Sequence, residues 1–280
     1  MKSKLTLSIS ALLFLLFSAE AQMPGISQSD SLDLLSYQLL KNFILSDTVS
    51  KKWEYSVTRN EEHRLVIPIQ GSPGSDLIDL RMSYDKSIPS VYNKEATVGS
   101  PFLLPAYTTG LVIVRSYKAI YIQDYFYNYD KMSGNLLLKR DNDNPIAVDK
   151  ERVNSFCLKD GKEGYIFMRV PLINSSEFLQ VIHKGSKYSA YALYKVNFIE
   201  SNQATNGYMT AGKEYDEYKD VKTYYLIDEI KQEWSVFELT KKSIKKALGE
   251  SERVNQFFKY HKYDDITESL VAGLLETVNK

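Results

Sequence analysis

One cysteine, three histidines and two tryptophans in 280 residues leave little of the equipment on which many enzymes and small secreted scaffolds depend. A single thiol forbids an intramolecular disulfide, so an exported form of this chain must be held by core packing alone. His63, His183 and His261 have no second His or Cys at i+2, i+3 or i+4, which leaves no zinc-ligand spacing. Charge of one sign is lacking too. Lys+Arg and Asp+Glu both number 35, which argues against a nucleic-acid partner held by bulk positive charge. After the N-terminal segment no apolar run has the length of a transmembrane helix, and no Gly-x-Ser-x-Gly elbow or phosphate-binding glycine loop occurs.

What the chain does have begins with an address. Lys2 and Lys4 precede an apolar run over residues 5–17, followed by Ala19-Glu20-Ala21. A short basic region, an apolar segment too short to span a bilayer and a small-x-small triplet predict a secretory signal over residues 1–21, cleaved after Ala21. With no cysteine beside the cleavage point to carry a lipid, the expected product is not a lipoprotein. It would have no transmembrane anchor after signal removal and would be soluble in the periplasm or outside the cell.

The remaining chain is 44% apolar overall and long enough for a sizeable core. Leu32, Leu35, Leu39 and Phe43 recur at helical spacing behind Ser29-Asp30-Ser31, predicting a helix over 31–45. Short strands are expected at 53–59, 64–70 and 77–84. From residue 99 the texture changes to strand-like runs separated by Asp/Asn/Gly turns: 111–115, 119–128, 135–140, 146–149, 153–158, 165–170, 178–183 and 188–198. Such a succession predicts an antiparallel meander, hence a sandwich or open barrel. The charged stretch 201–220 reads as a long, mobile surface loop, and 221–227 with 234–239 as a last hairpin. Helical periodicity then returns over 240–248, 252–261 and from Asp265 or Thr267 to 278. The expected fold is mainly β with an N-terminal helix and short C-terminal helices, α+β overall. Its expected parts are 22–98 (helix plus short strands), 99–240 (antiparallel β) and 241–280 (helices packed on the β part).

Residues 99–280 resemble a group of exported, β-rich proteins of unknown function abundant in Bacteroidota genomes. The likeness rests on Gly99-Ser100-Pro101-Phe102-Leu103, the run Tyr127-Asn128-Tyr129-Asp130 and the strand ending Val153-Asn154-Ser155-Phe156. It also includes Tyr224-Tyr225-Leu226 and the helical tail from Lys241-Lys242-Ser243-Ile244 to Leu248. It implies a β-rich fold and an exported location, and brings no activity. The insert at 201–220, and Gly249 where a proline is expected after Leu248, depart from the pattern.

The chemistry-bearing residues are few. Cys157, in a strand-like run without a nearby His, reads as a small buried side chain. Ser83-x-x-Lys86 and Ser243-x-x-Lys246 match the spacing used by penicillin-recognising enzymes, but no Lys-Thr-Gly accompanies them. Asp141-Asn142-Asp143-Asn144 has oxygen ligands at alternate positions, yet Pro145 occupies the next ligand place and no loop glycine follows, so it reads as a hairpin turn. The basic run Lys241 to Lys246, continuing to Arg253, Lys259 and Lys262, is either a solvated helix face or a patch facing an anionic envelope surface or another polyanion.

Most distinctive are 21 tyrosines. In a strand through 117–129, alternation puts Tyr117, Tyr121, Tyr125, Tyr127 and Tyr129 on one face. Such a stripe either packs over a half-buried sheet or offers flat amphipathic contact area to a glycan, a peptide or an envelope protein. No catalytic residues, cofactor or metal are expected. Two functions follow: a non-enzymatic envelope protein that binds or builds through a Tyr-rich face, or a polymer-acting hydrolase whose carboxylates converge from separate strands.

Overall fold

A computed structural model describes residues 28–45, 58–59, 65–67, 78–80 and 97–280, excepting positions 118, 123, 141–143, 162, 203, 206–209, 212 and 214. The expected signal segment, its cleavage point, His63, the Ser83/Lys86 pair and residues 141–143 of the Asp/Asn turn lie outside the described residues. The chain divides into two compact units, Met1–Leu35 and Ser36–Lys280.

Helix α1 (Gln28–Leu45) is followed by β1 (Thr58–Arg59), β2 (Leu65–Ile67) and β3 (Ile78–Leu80), which pair antiparallel in that order. The next strands are β4 (Thr97–Val98), β5 (Thr109–Val114), β6 (Ala119–Ile120), β7 (Phe126–Asp130), β8 (Asn135–Lys139) and β9 (Ile146–Ala147). After a 3₁₀ turn at Lys150–Arg152 come β10 (Val153–Asp160), β11 (Glu163–Val170), β12 (Asn174–His183) and β13 (Tyr188–Ile199). The short pair β14 (Ala204–Thr205) and β15 (Thr210–Ala211) leads to β16 (Asp216–Asp228) and β17 (Glu233–Phe237). Helices α2 (Lys241–Leu248), α3 (Glu252–Tyr260) and α4 (Glu268–Val278) close the chain.

Nine strands form one large sheet in the order β17-β16-β13-β12-β11-β10-β5-β6, with β4 added parallel to the start of β16 and every other pairing antiparallel. Strands β7-β8-β9 form a separate antiparallel sheet. The expected meander is therefore present, combined with helices as α+β. Alternation along the long strands sorts the core into layers. One face of the large sheet brings Val112, Phe156, Phe167 and Tyr194 against Tyr127, Tyr129, Leu136 and Leu138 of the small sheet. The opposite face, carrying Ile113, Cys157, Met168 and Leu179, packs on Tyr37, Leu40, Phe43 and Ile44 of α1. Gly164 permits that approach, because a Cβ there would stand 2.7 Å from the Ile44 side chain. A third cluster joins Ala190, Leu226 and Phe237 to the three C-terminal helices.

Each of those helices starts on a side-chain cap. Thr240, Ser251 and Thr267 accept from the backbone N–H groups of Ser243, Val254 and Leu270, so Thr267 rather than Asp265 begins the last helix. Its end is tied down by Asn279, whose Oδ1 accepts from the N–H groups of Lys187 and Tyr188 at 2.8 Å each.

Two expectations change. The stretch 201–220 is not one long loop: β14 and β15 pair within it, and β16 begins at Asp216. Its register with β13 runs from Glu217 opposite Ile199 to Asp228 opposite Tyr188. Charged side chains at 217–220 resemble a loop in composition, but the backbone ladder is supplied by β13, and the Phe198 and Tyr218 rings meet at 4.9 Å. Nor is 119–128 a single strand. It breaks after Ile120, and Asp124 has a φ of 64°. Tyr121 and the pair Tyr127 and Tyr129 therefore fall in different core clusters.

Candidate functional site

That break disperses the expected tyrosine stripe. Tyr117 sits in a turn at φ 58°. Tyr121 joins the cluster under α1, its ring 5.8 Å from that of Phe43, whereas Tyr127 and Tyr129 are completely buried in the other cluster with Tyr125 packed at its margin. Tyr129 stacks on Phe167 at 4.6 Å, and Phe167 on Phe156 at 5.0 Å. Burial pushes the Tyr127 and Tyr129 phenols far above their ordinary value, with the Glu177 and Asp130 carboxylates adding to the effect at Tyr129. Neither hydroxyl has a hydrogen-bond partner among the described residues. The five positions do not share one face, and the rings of Tyr127 and Tyr129 are inaccessible to a ligand. The reason is tertiary: the small sheet turns its tyrosine side onto the large one.

Charged residues near this core act as fasteners. Glu177 accepts from Lys195 at 2.6 Å and from Lys150 at 3.4 Å, and Lys150 also donates to the Ser133 carbonyl at 3.1 Å. Gly134, at φ 67°, closes the β7–β8 turn there; a Cβ would meet the Glu177 Oε2 at 2.6 Å. Lys131, nearly buried, reaches across to Asp220 of β16. Arg169 is buried with its Nε donating to the Val153 carbonyl at 2.9 Å and its guanidinium 4.8 Å from the Phe178 ring. With carbonyls taking donors from all three of its nitrogens, Arg169 is a clasp between strands.

The other candidates are equally engaged. Cys157 is buried, which pushes its thiol up to about 12 and leaves negligible thiolate at neutral pH. His183 is lowered by burial and lies 3.1 Å from the Asn279 amide nitrogen, while His261 pairs with Asp264 at 2.6 Å. Ser243 Oγ accepts from the Glu238 N–H at 2.9 Å. No group of three or more His, Cys, Asp or Glu among the described residues is placed to hold a metal ion.

Accessible features are found on β17 and α2. An open groove of about 320 Å³ runs between β17 and α2, lined by Val236, Phe237, Glu238, Thr240, Lys242, Ser243 and Lys246. Its single carboxylate is Glu238, so it does not bring together the pair a glycoside hydrolase requires. The Ser243 and Lys246 of the second Ser-x-x-Lys match line this same groove.

Strand β17 is the terminal strand of the sheet order and, among the described residues, pairs on one side only. Alternation divides it: Phe237 is buried beside Tyr224, with rings 5.6 Å apart, while Trp234 and Val236 are 46% and 55% exposed on the opposite face. Tyr225 packs edge-on against Trp234 at 5.7 Å, extending that aromatic surface onto β16. Sequence reading did not single out Trp234 or Val236. The alternation was visible, but which parity faces the helices depends on how α2–α4 dock.

No family model matches the chain, and no curated protein or solved structure matches it. The likeness of residues 99–280 to exported β-rich proteins rests on the sequence features alone.

Proposed function

We propose that the protein is an exported, non-enzymatic binding protein of the cell envelope that takes up an extended segment of a partner polypeptide along β17. The observation that carries this reading is a terminal strand that pairs on one side only among the described residues, beside exposed Trp234 and Val236. An unpaired strand edge is a ready template for another chain: the backbone ladder supplies affinity, and side chains at alternate positions supply selectivity. Trp234, held edge-on by Tyr225, provides the rigid aromatic contact typical of interface centres. The binding surface thus lies on β16–β17 rather than on the tyrosines of 117–129. The N-terminal features at residues 2–21 support the exported location.

Selection from a displayed library of extended peptides tests the assignment. The wild-type chain is expected to enrich sequences with apolar residues at alternate positions, and a Trp234→Ser, Val236→Lys double variant with unchanged far-UV circular dichroism is expected to lose them. No enrichment, or equal enrichment by the variant, would refute the edge as the binding site.

A further inference from the structure

The α2–α3 hairpin is a concentration of positive charge in a chain of zero net charge. Residues 241–262 hold seven Lys or Arg against two carboxylates, Glu250 and Glu252. Among the described residues none of the seven forms an ion pair, in contrast to the paired lysines of the sheets. Two of them knit the hairpin together. Lys241 Nζ donates to the carbonyls of His261 and Lys262, at 3.3 and 2.7 Å, and Lys245 Nζ to Asn255 Oδ1 at 2.7 Å. The first turn of α2 is thereby fixed beside the end of α3, and the remaining basic side chains are exposed.

At that end stand the two most exposed large hydrophobic side chains among the described residues, Tyr260 at 86% and Tyr263 at 89%. Helix α3 buries Val254 and Phe258 against the core, which turns Lys259 and Tyr260 outward. Lys262 lies over the Tyr263 ring at 5.2 Å. The pairs Lys259-Tyr260 and Lys262-Tyr263, on either side of His261, form one exposed corner. The acidic pair Asp264 and Asp265 bounds it on the C-terminal side, with Asp264 engaged by His261.

We propose that this corner docks the protein onto an anionic phospholipid bilayer. Lys259 and Lys262 would meet headgroup phosphates, while the Tyr260 and Tyr263 rings would sit at the boundary between headgroups and acyl chains. Lysine near an anionic membrane gains electrostatic attraction, and its aliphatic stem tolerates the interface. Tyrosine combines an apolar body with a polar tip and is enriched at the headgroup level. A dissolved polyanion would account for the lysines and leave the fully projecting rings without a role, which favours the bilayer. No helix among the described residues is long and apolar enough to cross a membrane, so the contact is peripheral. It uses neither Trp234 nor Val236 and stands independently of the β17 reading.

Cosedimentation of the full chain with vesicles tests it, using phosphatidylcholine alone and phosphatidylcholine mixed with phosphatidylglycerol. Binding is expected only to the mixed vesicles and is expected to weaken as salt rises. Lys259→Glu with Lys262→Glu should lower the partition by about twentyfold or more. Tyr260→Ser with Tyr263→Ser should lower it by roughly fivefold while circular dichroism stays unchanged. Equal binding to both vesicles, no binding, or an unaltered partition of the lysine variant would overturn the proposal. Inorganic polyphosphate in solution separates the remaining alternative. If it abolishes vesicle binding and the tyrosine variant binds vesicles like the wild type, the lysines serve a dissolved polyanion and the bilayer assignment fails.

Discussion

The β7–β8 hairpin and the α2–α3 hairpin are made from the same residue types, tyrosine and lysine, and put them to opposite use. In the first, Tyr127 and Tyr129 are buried without trace of exposure, and Lys131 is almost buried with Asp220 as its counter-ion. In the second, Tyr260 and Tyr263 project into solvent, and Lys259 and Lys262 have no acidic partner among the described residues. The contrast separates what side chains contribute to holding a fold from what they contribute to a surface. A tyrosine facing a second sheet is a core residue with a hydroxyl to hide; a tyrosine past the last buried turn of a helix serves only what comes to meet it.

The sharpest way to break the comparison is at the centre of the first region. Phe167, buried between Tyr129 and Phe156, is expected to cost about 3–5 kcal/mol when changed to Ala, read as a lowered midpoint in urea unfolding. Next comes the ion pair. Asp220→Ala leaves the Lys131 ammonium buried without its carboxylate and should cost about 2 kcal/mol, whereas Lys246→Ala on exposed α2 should stay within about 0.5 kcal/mol in the same assay.

A pH series sharpens it further. The Tyr127 and Tyr129 phenols are raised in the folded protein by burial. In the unfolded chain they ionise near their ordinary value of about 10. Their contribution is therefore fully present below pH of about 10 and is lost as pH rises above it, because only the unfolded state releases the protons. Tyr127→Phe, which removes an unpartnered buried hydroxyl, should change stability little at pH 7 and flatten the alkaline loss. An alkaline unfolding profile identical to wild type would contradict that assignment. His183 supplies the opposite limb. Burial lowers it, so the unfolded state takes up the proton first, and stability should fall as pH drops below about 6.5, an effect that His183→Gln should remove. The smallest effect is expected in the second region. Tyr260→Ser should leave the unfolding midpoint within about 0.5 kcal/mol of wild type, since the side chain is almost wholly exposed.

Much of the architecture was legible locally. Helical spacing at Leu39 and Phe43 marked α1, turn residues marked the hairpins at 130–134 and 184–187, and Ser251 capped α3 as its position implied. The site was less legible. Alternation correctly put Tyr127 and Tyr129 on the same side as each other, but it cannot see that β6 ends at Ile120 and that Asp124, with its left-handed backbone, stands between Tyr121 and β7. Composition likewise failed at 217–220, where charged side chains conceal a backbone paired along the whole of β13.

By itself the sequence determined the class of structure: alternating runs and turn residues demand antiparallel strands, and 3.6-residue spacing demands helices at both ends. It also determined that this fold has no disulfide to rely on. Only the tertiary structure decided which parity of each strand is inside. A strand's two faces are chemically distinguishable, yet which of them meets another layer depends on residues far away in the chain. That is why the tyrosines of 127–129 became core, while Trp234, Val236, Tyr260 and Tyr263, drawn from the same aromatic and apolar repertoire, were left exposed.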